Sequence, residues 1–275
     1  GGNVSVTGTG GGTGTAALNY GVLLEDGGQI TAGDFGTVTV TGTGAASGGN
    51  NNYGVYVYGT DSKITSGSNV SVTGTGGGSG TSTGNHGVHL ESAGQITAES
   101  AVTVQGNGGT NTSGNGNHGV YVSGADSQIT SSNYVSITGV EGGGNTGYGI
   151  VSTSGSAFTA TAIFLGGITL IANSMDLGGT VSAGFTGQID LRQRTNGVQI
   201  DLGSTTNTVG GPLSLSDAEL DQFTTGYLTI GDGNNGTLTI SEYISNSTPI
   251  VFLNSGSDII FNNSFEGIPS TLGLS

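Results

Sequence analysis

The chain has 275 residues, 58 of them Gly, with 18 acidic residues against 3 basic ones, no Cys, no Trp and a formal charge of −15. Lys63, Arg192 and Arg194 are its only cations, too few for the several phosphates that a nucleic-acid binder must neutralise and a poor supply for phosphoryl transfer. Zero Cys removes disulfides, thiolate nucleophiles and Cys-ligated metals, and leaves the compartment open. Leu, Ile, Val and Phe total 64 residues, about 23% of the chain and just above the roughly 20% below which a highly charged chain stays disordered.

No stretch approaches ~18 consecutive apolar residues, so no membrane insertion of this segment is expected. No basic and apolar leader precedes the repeats, and the first residue is not Met, so an interior or processed piece of a longer protein is expected.

Self-similarity at a fixed period overrides local readings, and here it begins at once. Val-Ser-Val-Thr-Gly-Thr-Gly at Val4 returns at Val38 as Val-Thr-Val-Thr-Gly-Thr-Gly and at Val70 in its first form; it drifts at Val102 and Val135, with spacings of 34, 32, 32 and 33. A second segment reads Tyr20-Gly21-Val22, Tyr53-Gly54-Val55, His86-Gly87-Val88, His118-Gly119-Val120 and Tyr148-Gly149-Ile150. A third reads Gln29-Ile30-Thr31, Lys63-Ile64-Thr65, Gln95-Ile96-Thr97 and Gln128-Ile129-Thr130, weakening to Ala157-Phe158-Thr159. All three are short, β-branched and bounded by Gly, Asn, Asp and Ser, the pattern of strands between turns. Three strands per ~32-residue unit describe one coil of a β-solenoid, with like positions stacked about 4.8 Å apart.

Alternation assigns faces. Val4, Val6, Val22, Leu24 and Ile30 point inward, whereas Ser5, Thr7, Thr9, Leu23, Gln29 and Thr31 point outward. Stacking makes Thr7, Thr41, Thr73 and Thr138 one column, broken by Gln105, and Thr31, Thr65, Thr97, Thr130 and Thr159 another.

After Ala162 Gly thins and Leu rises. Residues 1–162 therefore read as Gly/Thr/Asn-rich repeats of about 32–34 residues with protruding loops, and 163–275 as tighter, Leu/Ile-richer coils of the same solenoid. Strands are predicted at Ile168 to Ala172, Gln188 to Gln193, Val198 to Gly203, Leu213 to Leu215, Tyr227 to Gly231, Leu238 to Ser241, Ile250 to Asn254 and Ile259 to Asn262. Between them, Ser216 and Glu219 match a capping box and predict one helical turn at a corner.

The segment from Leu213 to Asp232, with Gly187-Gln-Ile-Asp-Leu-Arg and Ile200-Asp-Leu-Gly before it, resembles the repetitive passenger regions of filamentous-haemagglutinin-like and autotransporter-type bacterial surface adhesins. The similar stretch covers about Ile163 to Ser241. The resemblance implies a right-handed parallel β-helix exported to the cell surface, with adhesion or matrix roles. The resemblance does not extend to the family's export signal, its N-terminal cap or a membrane barrel.

Tyr20, Tyr53, His86, His118 and Tyr148 form a column. Stacked His residues suggest a metal, but Tyr occupies three of the five positions, and period two places the column beside Val22 and Leu24 as a packed ring ladder. Tyr56, Tyr58, His89 and Tyr121 are the candidate ligand surface, because the His89 column points outward and suits stacking on a sugar or partner. Asn19, Asn52, Asn85 and Asn117 precede the first column and suit an amide ladder. The loops from Gly8, Gly42, Gly74, Gly106 and Gly139 leave one corner, as a binding face or as passive spacing and a bed for O-linked glycan.

Asp232-Gly-Asn-Asn-Gly lacks the acidic alternation of a calcium loop. Arg192 and Arg194 lie beside Asp190 and suit a local ion pair. Asp61 and Asp126 share a register among the repeat carboxylates, and no paired acids facing one groove or nucleophile elbow appears, so no enzyme, metal or other cofactor is expected. The reading is thus all-β, a right-handed parallel β-helix of about ten coils and roughly 50 Å, serving as a stiff extracellular rod in cell-surface or matrix attachment. Alternatives are ice binding through Thr7/Thr9, Thr41/Thr43 and Thr73/Thr75, and a glycan-binding or polysaccharide-active β-helix. Neither end carries a charged or helical cap, so further coils or copies of the chain are the expected partners beyond Gly1 and Ser275, with glycans or host and matrix surfaces as others.

Overall fold

The computed structural model describes residues 1–162, 166–206, 210–245, 248–266 and 271–274. The expected change of texture at 162/163, where the family-like stretch also begins, falls at residues 163–165, outside the described residues. Among the described residues the chain is all-β apart from one helical turn, Asp217–Leu220, and its strands run parallel in stacked sheets. Each repeat passes through three strands and returns one place further along the stack.

The repeat of the sequence is the register of the first sheet. Val4 pairs with Val38, Val38 with Val70, Val70 with Val102, Val102 with Val135 and Val135 with Ile168. The column continues through Ile189, Leu228, Val251 and Leu272, so ten strands stack in it. A second column runs from Val22–Leu24 to Met175–Leu177, and a third from Gln29–Asp34 to Ala157–Ala160. The long strand Thr180–Arg192 joins the first and third, because Val181 extends Phe158 while Ile189 extends Ile168.

Inward positions carry the same residue type rung after rung. Val40, Val72, Val104, Ile137 and Leu170 form one buried file, and Ile64, Ile96, Ile129 and Phe158 another. Each such side chain contributes roughly 1.5–3 kcal/mol on full burial, so two or three per strand suffice for a narrow core. At the end of the third column's strands the file is Ala32, Ser66, Ala98, Ser131 and Ala160. There Ser131 Oγ donates to Ser100 O at 2.7 Å, so the small polar residue is satisfied.

The five loops do not splay. Each lies on the next through backbone bonds such as Gly44 N to Thr75 O, Gly76 N to Asn107 O and Gly108 N to Val140 O, all 2.8–2.9 Å. At the neck of every loop the outgoing and returning arms touch backbone to backbone. A Cβ on Gly74 would collide with Gly87 O, and Gly42 and Gly106 meet Gly54 O and Gly119 O in the same way. The obstacle is a peptide group rather than a rotatable side chain. Gly74→Ala is therefore expected to cost about 3 kcal/mol or more, against little change for Gly33→Ala, whose Cβ meets nothing within 4 Å. Urea unfolding of the two variants checks this contrast.

The later rungs are not uniformly tight. Ile168 to Ile189 spans 21 residues, but Ile189 to Leu228 spans 39. The excess is a strand out of chain order. Leu213–Leu215 pairs with Ile200–Leu202 and lies against Met175–Leu177, so the later strand fills the earlier place in the stack. The helical turn that follows carries its capping box: Ser216 Oγ accepts from Glu219 N, and Glu219 Oε2 accepts from Ser216 N at 2.8 Å. Glu219 Oε1 also accepts from Leu177 N at 3.0 Å, tying the corner to the neighbouring strand.

Candidate functional site

Three ladders run along the stack beside the second sheet. The innermost is amide. Asn19 Nδ2 donates to Asn52 Oδ1 at 2.8 Å, Asn52 Nδ2 to Asn85 Oδ1 at 3.1 Å and Asn85 Nδ2 to Asn117 Oδ1 at 2.9 Å. Each acceptor oxygen also takes the backbone N–H of the preceding Asn, at 3.0 Å from Asn52 and 2.9 Å from Asn85. Where Gly147 replaces the fifth Asn, Asn117 Nδ2 donates instead to Gly143 O at 2.9 Å.

The second and third ladders are aromatic. Tyr20, Tyr53, His86, His118 and Tyr148 stack with ring centroids 5.3, 5.1, 5.0 and 5.7 Å apart and planes within 19°. Tyr56, His89 and Tyr121 stack beside them at 5.0 and 4.8 Å. The two files mesh edge to face, Tyr53 on His89 at 88° and His86 on His89 at 75°, an arrangement favoured by ring quadrupoles.

This corrects two expectations. The first ring file does not share the inward side of Val22 and Leu24, and none of its members belongs to the core cluster. The chain bends at Gly21, Gly54, Gly87, Gly119 and Gly149, and a bend resets the two-residue alternation that holds only in extended chain. Both files therefore lie on the outer side and cover each other. His89 is consequently not exposed: 4% of its surface reaches solvent. Tyr56 and Tyr121 are half-buried, and of the four candidate ligand residues only Tyr58, at 41%, is open.

Burial sets the electrostatics. It holds His86 well below the ordinary imidazole value, aided by His89 and His118; it lowers His89 to about 3 and His118 to about 4. The rings are neutral at pH 7. His118 N donates to His86 Nδ1 at 3.2 Å and Tyr148 N to His118 Nδ1 at 3.0 Å, which leaves the proton on Nε2 in both. Burial also raises Tyr53 and Tyr56, and Tyr56 donates its hydroxyl to Glu91 Oε2 at 2.6 Å. Glu91 Oε2 lies 3.9 Å from His89 Nε2 as well, an interaction that composition alone did not suggest and that the Tyr56↔His89 register reveals.

Other singled-out groups serve locally. Asp190 pairs with Arg192 at 3.2 Å. Asp232 Oδ1 accepts from Gln193 Nε2 at 2.6 Å and from Asn234 N at 2.9 Å, closing its own turn. Asp61 and Asp126 sit at φ of 65° and 63°, the left-handed turn conformation that Asp tolerates. Among the described residues no group of three His, Cys, Asp or Glu side chains is placed to hold a metal ion, and no helix is long and apolar enough to cross a membrane. Comparison with protein-family models, curated sequences and solved structures finds no match for this chain.

Proposed function

We propose that the chain is a length of right-handed parallel β-helix acting as a stiff rod in a secreted bacterial surface protein or extracellular fibre, where it serves cell-surface or matrix attachment. The carrying observation is continuity. Ten strands, four amides and two meshed ring files follow one axis in register, so bending or shearing the rod strains every ladder together. Solenoid stability is a sum of rung and neighbour terms, and the steps from the Tyr53 rung to the His118 rung add an amide pair and two ring stacks to the backbone ladder. The charge of −15 favours solvated rods over self-association. The resemblance to adhesin passenger regions supplies the address. Displaying residues 1–275 on a non-adherent bacterium is expected to increase its attachment to matrix- or glycan-coated surfaces; attachment equal to that of undecorated cells overturns the adhesive role.

A second reading rests on hydroxyl order. Thr7 pairs with Thr41 and Thr41 with Thr73, and Thr9, Thr43 and Thr75 follow beside them, so six outward Thr form a flat grid that suits ice. The grid ends at Gln105, Asn107 and Val140, and outward Thr is also simply a good strand residue. Ice binding predicts thermal hysteresis in the protein and its abolition by Thr41→Lys. Absence of hysteresis in the unmodified chain removes this reading.

A further inference from the structure

Away from the ladders, the first sheet bears a cleft that alternation alone does not reveal. Tyr134, Gly167, Gln188 and Tyr227 occupy one register line on four successive rungs. Gly167 has no side chain and Gln188 lies over to Asp190, so the two tyrosines stand as facing walls three rungs apart, about 14 Å at the strand spacing. They are 54% and 43% exposed, and the space between them is a cavity of about 470 Å³.

The floor is polar and pinned. Asp190 Oδ1 accepts from Gln188 Nε2 at 2.6 Å and Oδ2 from Arg192 Nη2 at 3.2 Å. The Asp190 side chain is 15% exposed. Each carboxylate oxygen has a further lone pair free for a donor, and two such oxygens side by side match two vicinal hydroxyls. Aromatic walls take the apolar faces of sugar rings, while the walls' spacing suits a short chain of pyranoses rather than one ring.

Other occupants fit less well. A peptide cannot add as a strand, because Gly167 is already paired on both sides, with Tyr134 and Gln188. An anion meets Asp190 and a chain of charge −15. We propose that the Tyr134–Tyr227 cleft, floored by Asp190, is a binding site for a neutral oligosaccharide. The proposal goes beyond the rod reading and stands apart from it, since it concerns a different face of the stack.

Saturation-transfer NMR on the full chain tests it, with cellotriose, maltotriose, mannotriose and chitotriose as probes and trigalacturonate as the anionic comparator. At least one neutral trisaccharide is expected to bind, and Tyr134→Ala, Tyr227→Ala and Asp190→Asn are each expected to weaken it roughly tenfold. Phe35→Ala, an exposed ring off the cleft, is expected to leave it unchanged. Far-UV circular dichroism and melting of each variant separate loss of the site from loss of the fold. No binding by any neutral probe overturns the site, as does binding that survives the folded Tyr variants or Asp190→Asn, or equal binding of trigalacturonate. None of these outcomes touches the rod reading, whose attachment assay stands separately.

Discussion

Acidification from pH 7 to about 4.5 is expected to remove several kcal/mol of stability, well before most carboxylates titrate. The source is the three buried imidazoles. In the unfolded chain each takes up a proton near pH 6.5; folded, His89 does so at about 3 and His118 at about 4, while burial, aided by His89 and His118, holds His86 well below the free value. Between those limits the unfolded state binds more protons, so stability rises with pH there. It is fully present above pH 6.5 and drains as the pH falls toward 4. At about 1.4 kcal/mol per pKa unit, His118 alone carries on the order of 3 kcal/mol.

One group opposes this. Glu91 Oε2 lies 3.9 Å from His89 Nε2 and would favour its charged form. That oxygen is already engaged by the Tyr56 hydroxyl at 2.6 Å, and desolvation is the larger influence on His89. Urea midpoints at pH 7, 6 and 5 measure the slope. His118→Tyr, which installs the ring found in three other rungs, is expected to flatten the slope whatever its effect at pH 7. A wild-type midpoint that does not move between pH 7 and 5 would sink the argument.

Much of the architecture is legible because the repeat spacing and the sheet register are the same quantity. The interval from Val70 to Val102 is a distance along the chain and also one step of the stack. The alternation within Val38–Thr43 likewise reads directly as Val38 and Val40 in, Thr39 and Thr41 out. Legibility ends where the chain stops being extended. At Gly54 the bend reverses the side on which Tyr53 lies relative to Val55, so the ring file leaves the core and covers His89. It ends again where order along the stack departs from order along the chain, as Leu213–Leu215 shows by sitting before Ile200–Leu202. The Tyr134 and Tyr227 alignment is hidden for a related reason: unequal rungs separate them, and only the pairings through Gly167 and Gln188 bring them onto one line.

The amide ladder carries the other large effect. Asn85 is fully buried. Its Oδ1 accepts from both Asn52 N and Asn52 Nδ2, at 3.0 and 3.1 Å. Asn85→Ala leaves both donors without that acceptor, although Asn52 Nδ2 retains Gly49 O at 2.6 Å. An orphaned buried group costs about 1–3 kcal/mol, and the vacated volume adds to it, so a total near 4 kcal/mol is expected. Asn19→Ala, at the part-buried start of the ladder, removes donors to Asn52 and Ser47 only and is expected to cost about 1 kcal/mol. Because rungs in a stack open locally, hydrogen exchange at the Asn52 amide is the sharper readout, and it should quicken in Asn85→Ala far more than at a distant rung. Asn85→Asp separates hydrogen bonding from volume. Its carboxylate keeps the acceptors for Asn52 but faces Asn117 Oδ1, which needs a donor; burial and that oxygen raise its folded pKa above the unfolded value. Its penalty relative to wild type is therefore smallest at acid pH, where the protonated acid can donate, and grows as the pH rises through the ordinary carboxylate range. Equal costs for Asn19→Ala and Asn85→Ala, or a pH-independent penalty for Asn85→Asp, would show that volume rather than the amide chain holds these rungs together.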